Sequence, residues 1–218
     1  MFKSILSIFL QDNCPLCQRS TQEEICYDCQ RQLKSCQLKH PQKFWQGDLP
    51  LFAWGQYDGK LKQAIASLKY DKNPQIGELL GFWLGESWQK YSLIKTTKKP
   101  LVIPIPLHST KQKIRGFNQA EIIARGFCQV TRYPLKAQGL VRIRQTQAMF
   151  GLTIEQRKNN IKQVFRLGKY LQNYPLSVPV LLIDDIYTTG TTVNEATIIL
   201  QNHGIKVLGV LSLATPRQ

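Results

Sequence analysis

Apolar residues in this chain fall into two alternating kinds of run. Short continuous or alternating runs read as strands; longer runs spaced by three and four read as amphipathic helices. Residues 51–57 alternate as a short strand does, and Asp58-Gly59 supplies a turn. Leu61, Ala64, Ile65 and Leu68 lie at helical spacing, with Lys69-Tyr70 closing that helix before Asn73-Pro74 breaks the chain. Ile76, Leu79, Leu80, Trp83, Leu84 and Trp88 define a second amphipathic helix whose tryptophans are assigned to the core rather than to base stacking. The run 101–106 is a strand ending in two prolines, which remove donors and force an irregular exit. That exit, residues 107–118, is polar and basic and reads as a loop. A helix is predicted over 119–130 with Asn118 as its cap. Residues 140–144 read as a strand, 157–165 fit either helix or irregular structure, and 168–177 form a solvated connector. Val180 to Ile183 is a continuous apolar run, the mark of a buried strand, followed by a helical pattern over 193–200. His203-Gly204 ends that helix, and 205–213 is a final strand. Strands alternating with helices predict an α/β fold with a mostly parallel sheet and helices on both faces.

The segment before the first strand has different chemistry. Cys14, Cys17, Cys26 and Cys29 form two Cys-x2-Cys knuckles eight residues apart. Such knuckles match tetrahedral four-thiolate coordination of structural Zn2+. An iron–sulfur cluster and disulfides are the competing accounts. A closed four-cysteine site keeps no open position, so no catalysis is expected there. Cys36 has no close partner, and Cys128, in an apolar helical stretch, reads as a packed core residue. The expected organisation is a zinc module over residues 1–45 and an α/β domain over 46–218.

The 218 residues carry a net charge of +15, unevenly spread. Between residues 107 and 169, 13 Lys and Arg face only Glu121 and Glu155, so that segment supplies +11. Such a field draws phosphate-rich partners, with a partnerless basic surface as the bland account. No apolar run reaches the ~18–20 residues of a membrane span. The apolar opening at residues 2–10 lacks a basic leader and a small-residue cleavage site, and reads as a docking helix in a cytoplasmic protein.

The most specific chemistry follows the buried strand. The strand ends in Asp184 and Asp185, and the loop Thr188, Thr189, Gly190, Thr191 and Thr192 leads into the next helix. Helix N-termini carry unpaired N–H groups and positive partial charge, which hold a phosphate. Gly190 permits close backbone approach, and the threonines add hydroxyl donors. The carboxylates accept hydrogen bonds from vicinal hydroxyls, directly or through Mg2+. Phosphate on one side and carboxylates on the other suit a ribose 5-phosphate. A pyrophosphate on that sugar needs cations, and the basic exit after residue 106 offers Lys111 and above all Arg115, whose planar fork binds phosphate oxygens in pairs.

The stretch Asp-Asp-Ile-Tyr-Thr-Thr-Gly-Thr-Thr resembles the phosphoribosyl pyrophosphate signature of type I phosphoribosyltransferases. The resemblance assigns ribose contacts and catalysis to Asp184 and Asp185, and the 5-phosphate to Thr188 through Thr192. With the cysteine knuckles, Tyr57-Asp58-Gly59, Lys69-Tyr70, Ile103 to Leu107, Arg115 to Ala120, and Arg142, Arg144, Thr146, Arg157, Asn160 and Phe165, the chain is similar to the ComF family of late-competence proteins nearly end to end. Many members carry a further Cys-x2-Cys where only Cys36 stands here, and their usual Gln is Met149. The resemblance implies a type I phosphoribosyltransferase fold with an N-terminal zinc finger. It also implies a role in natural transformation and DNA uptake, beside a helicase-like partner. Three functions follow. The first binds phosphoribosyl pyrophosphate and single-stranded DNA, the latter through Lys113, Arg142 and Arg144 with Phe117, Tyr133 and Phe150 as stacking rings. The second is an active phosphoribosyltransferase acting on a base or amine. The third is a metabolite-sensing scaffold.

Overall fold

A computed structural model describes residues 12–94, 98–144, 164–172 and 177–216. The expected helix at 2–10 lies outside them, as do Thr146, Met149, Phe150, Arg157 and Asn160. Two short strands, β1 (Asp12–Asn13) and β2 (Ser20–Thr21), and the helix α1 (Tyr27–Ser35) carry the cysteine module. The main sheet contains β3 (Leu51–Gln56), β4 (Leu101–Pro104), β7 (Val180–Ile186) and β8 (Val207–Thr215). Its order is β3-β8-β7-β4, and all three pairings are parallel. The helices are α2 (Gly59–Tyr70), α3 (Pro74–Tyr91), α4 (Ser109–Arg115), α5 (Gln119–Thr131) and α6 (Thr191–Asn202). A separate antiparallel pair, β5 (Leu140–Arg142) with β6 (Phe165–Leu167), packs into the layer of α6.

The continuous apolar character of β7 follows from burial on both faces. Side chains alternate along a strand. Leu181 and Ile183 therefore enter one layer, with Leu61, Ile65 and Leu68 of α2, Leu80 and Trp88 of α3, and Phe127 of α5. Val180 and Leu182 enter the opposite layer, with Val193, Ala196 and Leu200 of α6 and Phe165 of β6. Trp83 and Trp88 are core residues, as expected: Trp83 stacks on Trp54 at 5.9 Å, and Trp88 meets Phe52 edge-on at 5.1 Å. Two glycines set the spacing of α3 and α5. A β-carbon on Gly81 would strike the Ile123 carbonyl, and one on Gly126 the Glu78 carbonyl.

Both sheet edges are covered, which blunts unwanted strand pairing. On β3, Leu38 N–H donates to the Trp54 carbonyl (2.9 Å) and Gln56 N–H to the Cys36 carbonyl (3.1 Å). On β4, Val102 N–H donates to the Pro134 carbonyl and Lys136 N–H to the Val102 carbonyl, both at 2.9 Å. The cysteine module shares this core. Cys14, Leu16, Ile25, Cys29 and Leu33 pack in the layer of α2 and α3, and Gln63 Nε2 donates to the Leu16 carbonyl at 3.0 Å. The expected boundary at 45/46 crosses that contact. Among the described residues no helix is long and apolar enough to cross a membrane.

The structure corrects two readings. The basic exit after β4 is not a loop but folds in part as α4. Its His108 ring Nδ1 accepts the Thr110 N–H at 3.4 Å, and Gly116 closes it at φ 89°. Pro74 does not merely break the chain: it is the first residue of α3, where its missing N–H costs nothing. Asn118 caps α5 as expected, its Oδ1 accepting the Ala120 N–H at 3.2 Å.

Candidate functional site at the carboxyl edge of the sheet

Parallel strands place all their carboxyl ends on one edge, where open α/β sheets hold ligands. Asp184 and Asp185 stand at that edge on β7, and strand alternation sends them to opposite faces. Asp185 enters the α2/α5 face and is 5% exposed. There it meets the Lys69 ammonium in an ion pair, and Gln119 Nε2 donates to its Oδ1 at 3.1 Å. Gln119 Oε1 in turn accepts from the Arg115 guanidinium, which lies 5.9 Å from the Tyr70 ring. Lys69 and Gln119 carry no role in the sequence-based assignment of the site. Asp184 is half-buried on the other face; its Oδ1 accepts the Asp185 N–H at 2.9 Å.

The two carboxyls are pushed apart electrostatically. Burial, reinforced by the Asp185 charge, raises Asp184 well above the usual carboxylate range. Burial also opposes ionisation of Asp185, but the Lys69 ammonium and the Gln119 donor outweigh it and hold that carboxyl below its ordinary value. Opposed environments for neighbouring carboxyls are a mark of functional sites. Mg2+ fits Asp184, a partly accessible hard oxygen donor beside the hydroxyl-rich loop.

That loop continues directly from β7. Asp184, Tyr187, Thr188, Thr189, Gly190, Thr191 and Thr192 line one small cleft. Thr188 and Thr189 are exposed, and Thr189 Oγ1 and Thr191 Oγ1 are 2.8 Å apart. Gly190 is the N-cap of α6, at φ 77°, and makes no side-chain capping bond. A β-carbon there would collide with the Tyr187 ring. The first turn of α6 therefore presents backbone donors, with the helix dipole behind them, to an anion beside Asp184.

The basic residues divide. Lys111 and Lys113 are exposed on α4, while Arg115 is half-buried at its end and reaches Asp185 through Gln119. Arg144 is exposed. Arg142 is half-buried. Burial lowers its guanidinium from the ordinary value while the Asp184 charge acts to raise it, and the guanidinium carbon lies 5.5 Å from the Phe165 ring. Two of the expected stacking rings are packed: Phe117 lies against the core, and Tyr133 meets Phe127 edge-on at 6.1 Å while its hydroxyl accepts from Trp88 Nε1 at 3.4 Å.

The sulfurs of Cys14, Cys17, Cys26 and Cys29 all lie within 4.8 Å of one another. Tetrahedral Zn2+ with bonds of ~2.3 Å needs sulfur separations of ~3.8 Å, so the cluster fits the ion. Burial raises the Cys29 thiol to about 12, helped by its three sulfur neighbours. Burial opposes ionisation of Cys14 too, but the backbone N–H groups of Cys26 and Leu16 draw it down to about 7. Clustered thiolates repel, and a bound dication removes that conflict. Cys128 stands apart on α5, its thiol pushed up by burial to about 12, as suits a packed residue and not a nucleophile.

No protein-family model matches the chain. Competence protein F of Haemophilus influenzae is 32% identical over 113 residues, which are 52% of this chain and 49% of that protein. The match thus spans about half the length of that relative. Competence protein ComFC of Streptococcus pneumoniae is 26% identical over 208 residues, 93% of this chain and 80% of that protein. The DNA utilization protein YhgH of Escherichia coli K12 is 26% identical over 212 residues, 92% and 88% of the two chains. Among solved structures, the allosteric regulatory enzyme of purine biosynthesis aligns with TM-score 0.38 and 17% identity over 65% of this chain and 26% of that one. Adenine phosphoribosyl transferase from Trypanosoma brucei aligns with TM-score 0.42 and 10% identity over 86% and 67%. Likenesses at these TM-scores do not bear on what this chain binds.

Proposed function

We propose that this chain, similar to ComF-family competence proteins across most of its length, binds phosphoribosyl pyrophosphate and single-stranded DNA in the cytoplasm during natural transformation, beside a helicase-like partner. One observation carries the metabolite part. A half-buried carboxylate, Asp184, a threonine-rich loop and an uncapped helix N-terminus share one cleft, and behind it Arg115 reaches the neighbouring Asp185 through Gln119. In this reading the 5-phosphate takes the backbone donors of α6 and the hydroxyls of Thr188 to Thr192. Asp184 takes the ribose hydroxyls, directly or with Mg2+, and Asp185 supports it from behind. Arg115 and Lys111 serve the pyrophosphate. Zn2+ at the four cysteines is structural.

The expected result is that calorimetry detects Mg2+-dependent binding of phosphoribosyl pyrophosphate, and that Asp184→Ala with Asp185→Ala abolishes it while the far-UV spectrum is unchanged. Unaltered affinity in that double variant would sink the assignment.

A second reading, transfer of ribose 5-phosphate to a base or amine, is favoured by the same cations. A departing pyrophosphate gains stabilisation from preorganised positive charge. Pyrophosphate release across a panel of bases and amines, with and without single-stranded DNA, separates the two: turnover with one acceptor establishes the enzyme.

A further inference from the structure

We propose that the cleft between α4 and the β5/β6 pair holds one nucleotide of a single-stranded nucleic acid, with Tyr170 as its stacking ring. This rests on the DNA-binding part of the proposed function and gives it a place. The cleft measures about 450 Å3 and runs from Pro106 and Leu107, at the exit of β4, to the turn Lys169–Leu171 that follows β6. Three cations line it, Arg142, Arg166 and Lys169, and Gln138 adds an amide. One carboxylate, Glu121, shares the wall, and Arg125 neutralises it at 2.6 Å.

Tyr170 gives this cleft its selectivity. Tyr170 is 51% exposed and lines the cleft, and Leu171 beside it is buried, so the turn is anchored. The Lys136 ammonium lies 3.8 Å from the ring centroid. A half-exposed ring beside a cation, lining a cleft of further cations, is a platform for another flat ring. Bases within a duplex are already stacked on both sides, so only an unpaired base can use it. Guanidinium and ammonium groups alongside serve the adjoining phosphates. An acidic peptide would engage the cations and leave the ring idle. Two of the three rings that the sequence offers for stacking, Phe117 and Tyr133, are packed against the core, and the third, Phe150, lies outside the described residues.

The test uses the full-length, zinc-replete protein and fluorescein-labelled oligothymidylate, read by anisotropy at several salt concentrations. Tyr170→Ala should weaken binding by roughly 5- to 100-fold, the range of single base–aromatic contacts. Tyr170→Phe should stay within about twofold, since the ring and not the hydroxyl stacks. Arg166→Ser with Lys169→Ser should flatten the dependence of log K on log salt by about 1.4, at ~0.7 per phosphate on single strands. Lys39→Ser with Lys43→Ser, removing equal charge outside the cleft, should leave the slope unchanged. Tyr170→Ala binding within twofold of wild type would overturn the proposal. So would equal losses in the two double variants, displacement by polyglutamate as effective as by unlabelled oligothymidylate, or binding of thymidine monophosphate without the oligonucleotide. A wild-type protein that binds no oligonucleotide at low salt removes the DNA-binding reading itself. Binding that ignores the cleft variants removes only this location. Phosphoribosyl pyrophosphate calorimetry on Tyr170→Ala should match wild type, which keeps the metabolite reading separate.

Discussion

Lys69 and Asp185 form a largely buried ion pair, with side chains 17% and 7% exposed. Removing one member of such a pair strands the other charge. Lys69→Met should cost about 3–5 kcal/mol in urea denaturation. Asp184→Asn has the opposite sign. It deletes a charge disfavoured by burial and by Asp185, and should raise stability by about 1 kcal/mol, or 2–4 °C, while weakening metabolite binding. The pH dependence separates the two residues. Asp185 has a depressed folded pKa, so its contribution is present above the unfolded value of ~3.9 and is lost as pH falls through the folded value. Asp184 is raised, so its penalty is full above its folded value, is relieved as pH falls below that value, and is gone below the unfolded value. A Lys69→Met variant less stable at pH 7 by under 1 kcal/mol would show that solvent already screens the pair. Asp184, Asp185 and Gly190 were legible in the sequence because strand, acidic pair and loop are contiguous. Lys69 and Gln119 were not legible as partners of Asp185, because no spacing rule joins residues that meet only across packed helices; Gln119 lies 66 positions away.

Among the elements, α6 and its loop invite the sharpest test. Gly190→Ala forces a side chain into left-handed backbone, at about 1–2 kcal/mol, and into the Tyr187 ring as well. It should lower the melting temperature and weaken phosphoribosyl pyrophosphate at least tenfold by calorimetry, since the α6 donors lose their alignment. Affinity equal to wild type would show that the phosphate sits elsewhere. Helices α2, α3, α5 and α6 were legible because each buries an apolar stripe. α4 was not: none of its residues is buried, so its sequence has no periodic apolar face, and capping alone marks it. The β5 strand was foreseen but not its pairing, because β6 has only three residues and carries no pattern by itself. The glycines that let α3 and α5 approach were also unread, since a lone glycine in a helix gives no direction to its neighbour.

At the scale of the whole molecule, the cysteine module and the sheet share one buried layer. Elemental analysis should find about one zinc per chain, and Cys26→Ser should reduce it. Because Leu16, Ile25 and Leu33 pack among residues of α2 and α3, metal removal should lower the unfolding temperature of the entire fold in a single transition. Two transitions, with only the first sensitive to a chelator, would show that the module unfolds independently. The broad α/β plan was readable from alternation alone, but strand order was not, because parallel pairing leaves no local mark. That order has a consequence for biosynthesis. β8 lies between β3 and β7, so β3 finds no neighbour in the sheet until residues 207–215 are made. Until then the nascent chain must keep the apolar faces of β3, α2 and α3 from wrong partners. A chain stopped after Lys206 should be recovered as aggregate or bound to chaperones, and its folded recovery would mean that the earlier strands close a sheet of their own.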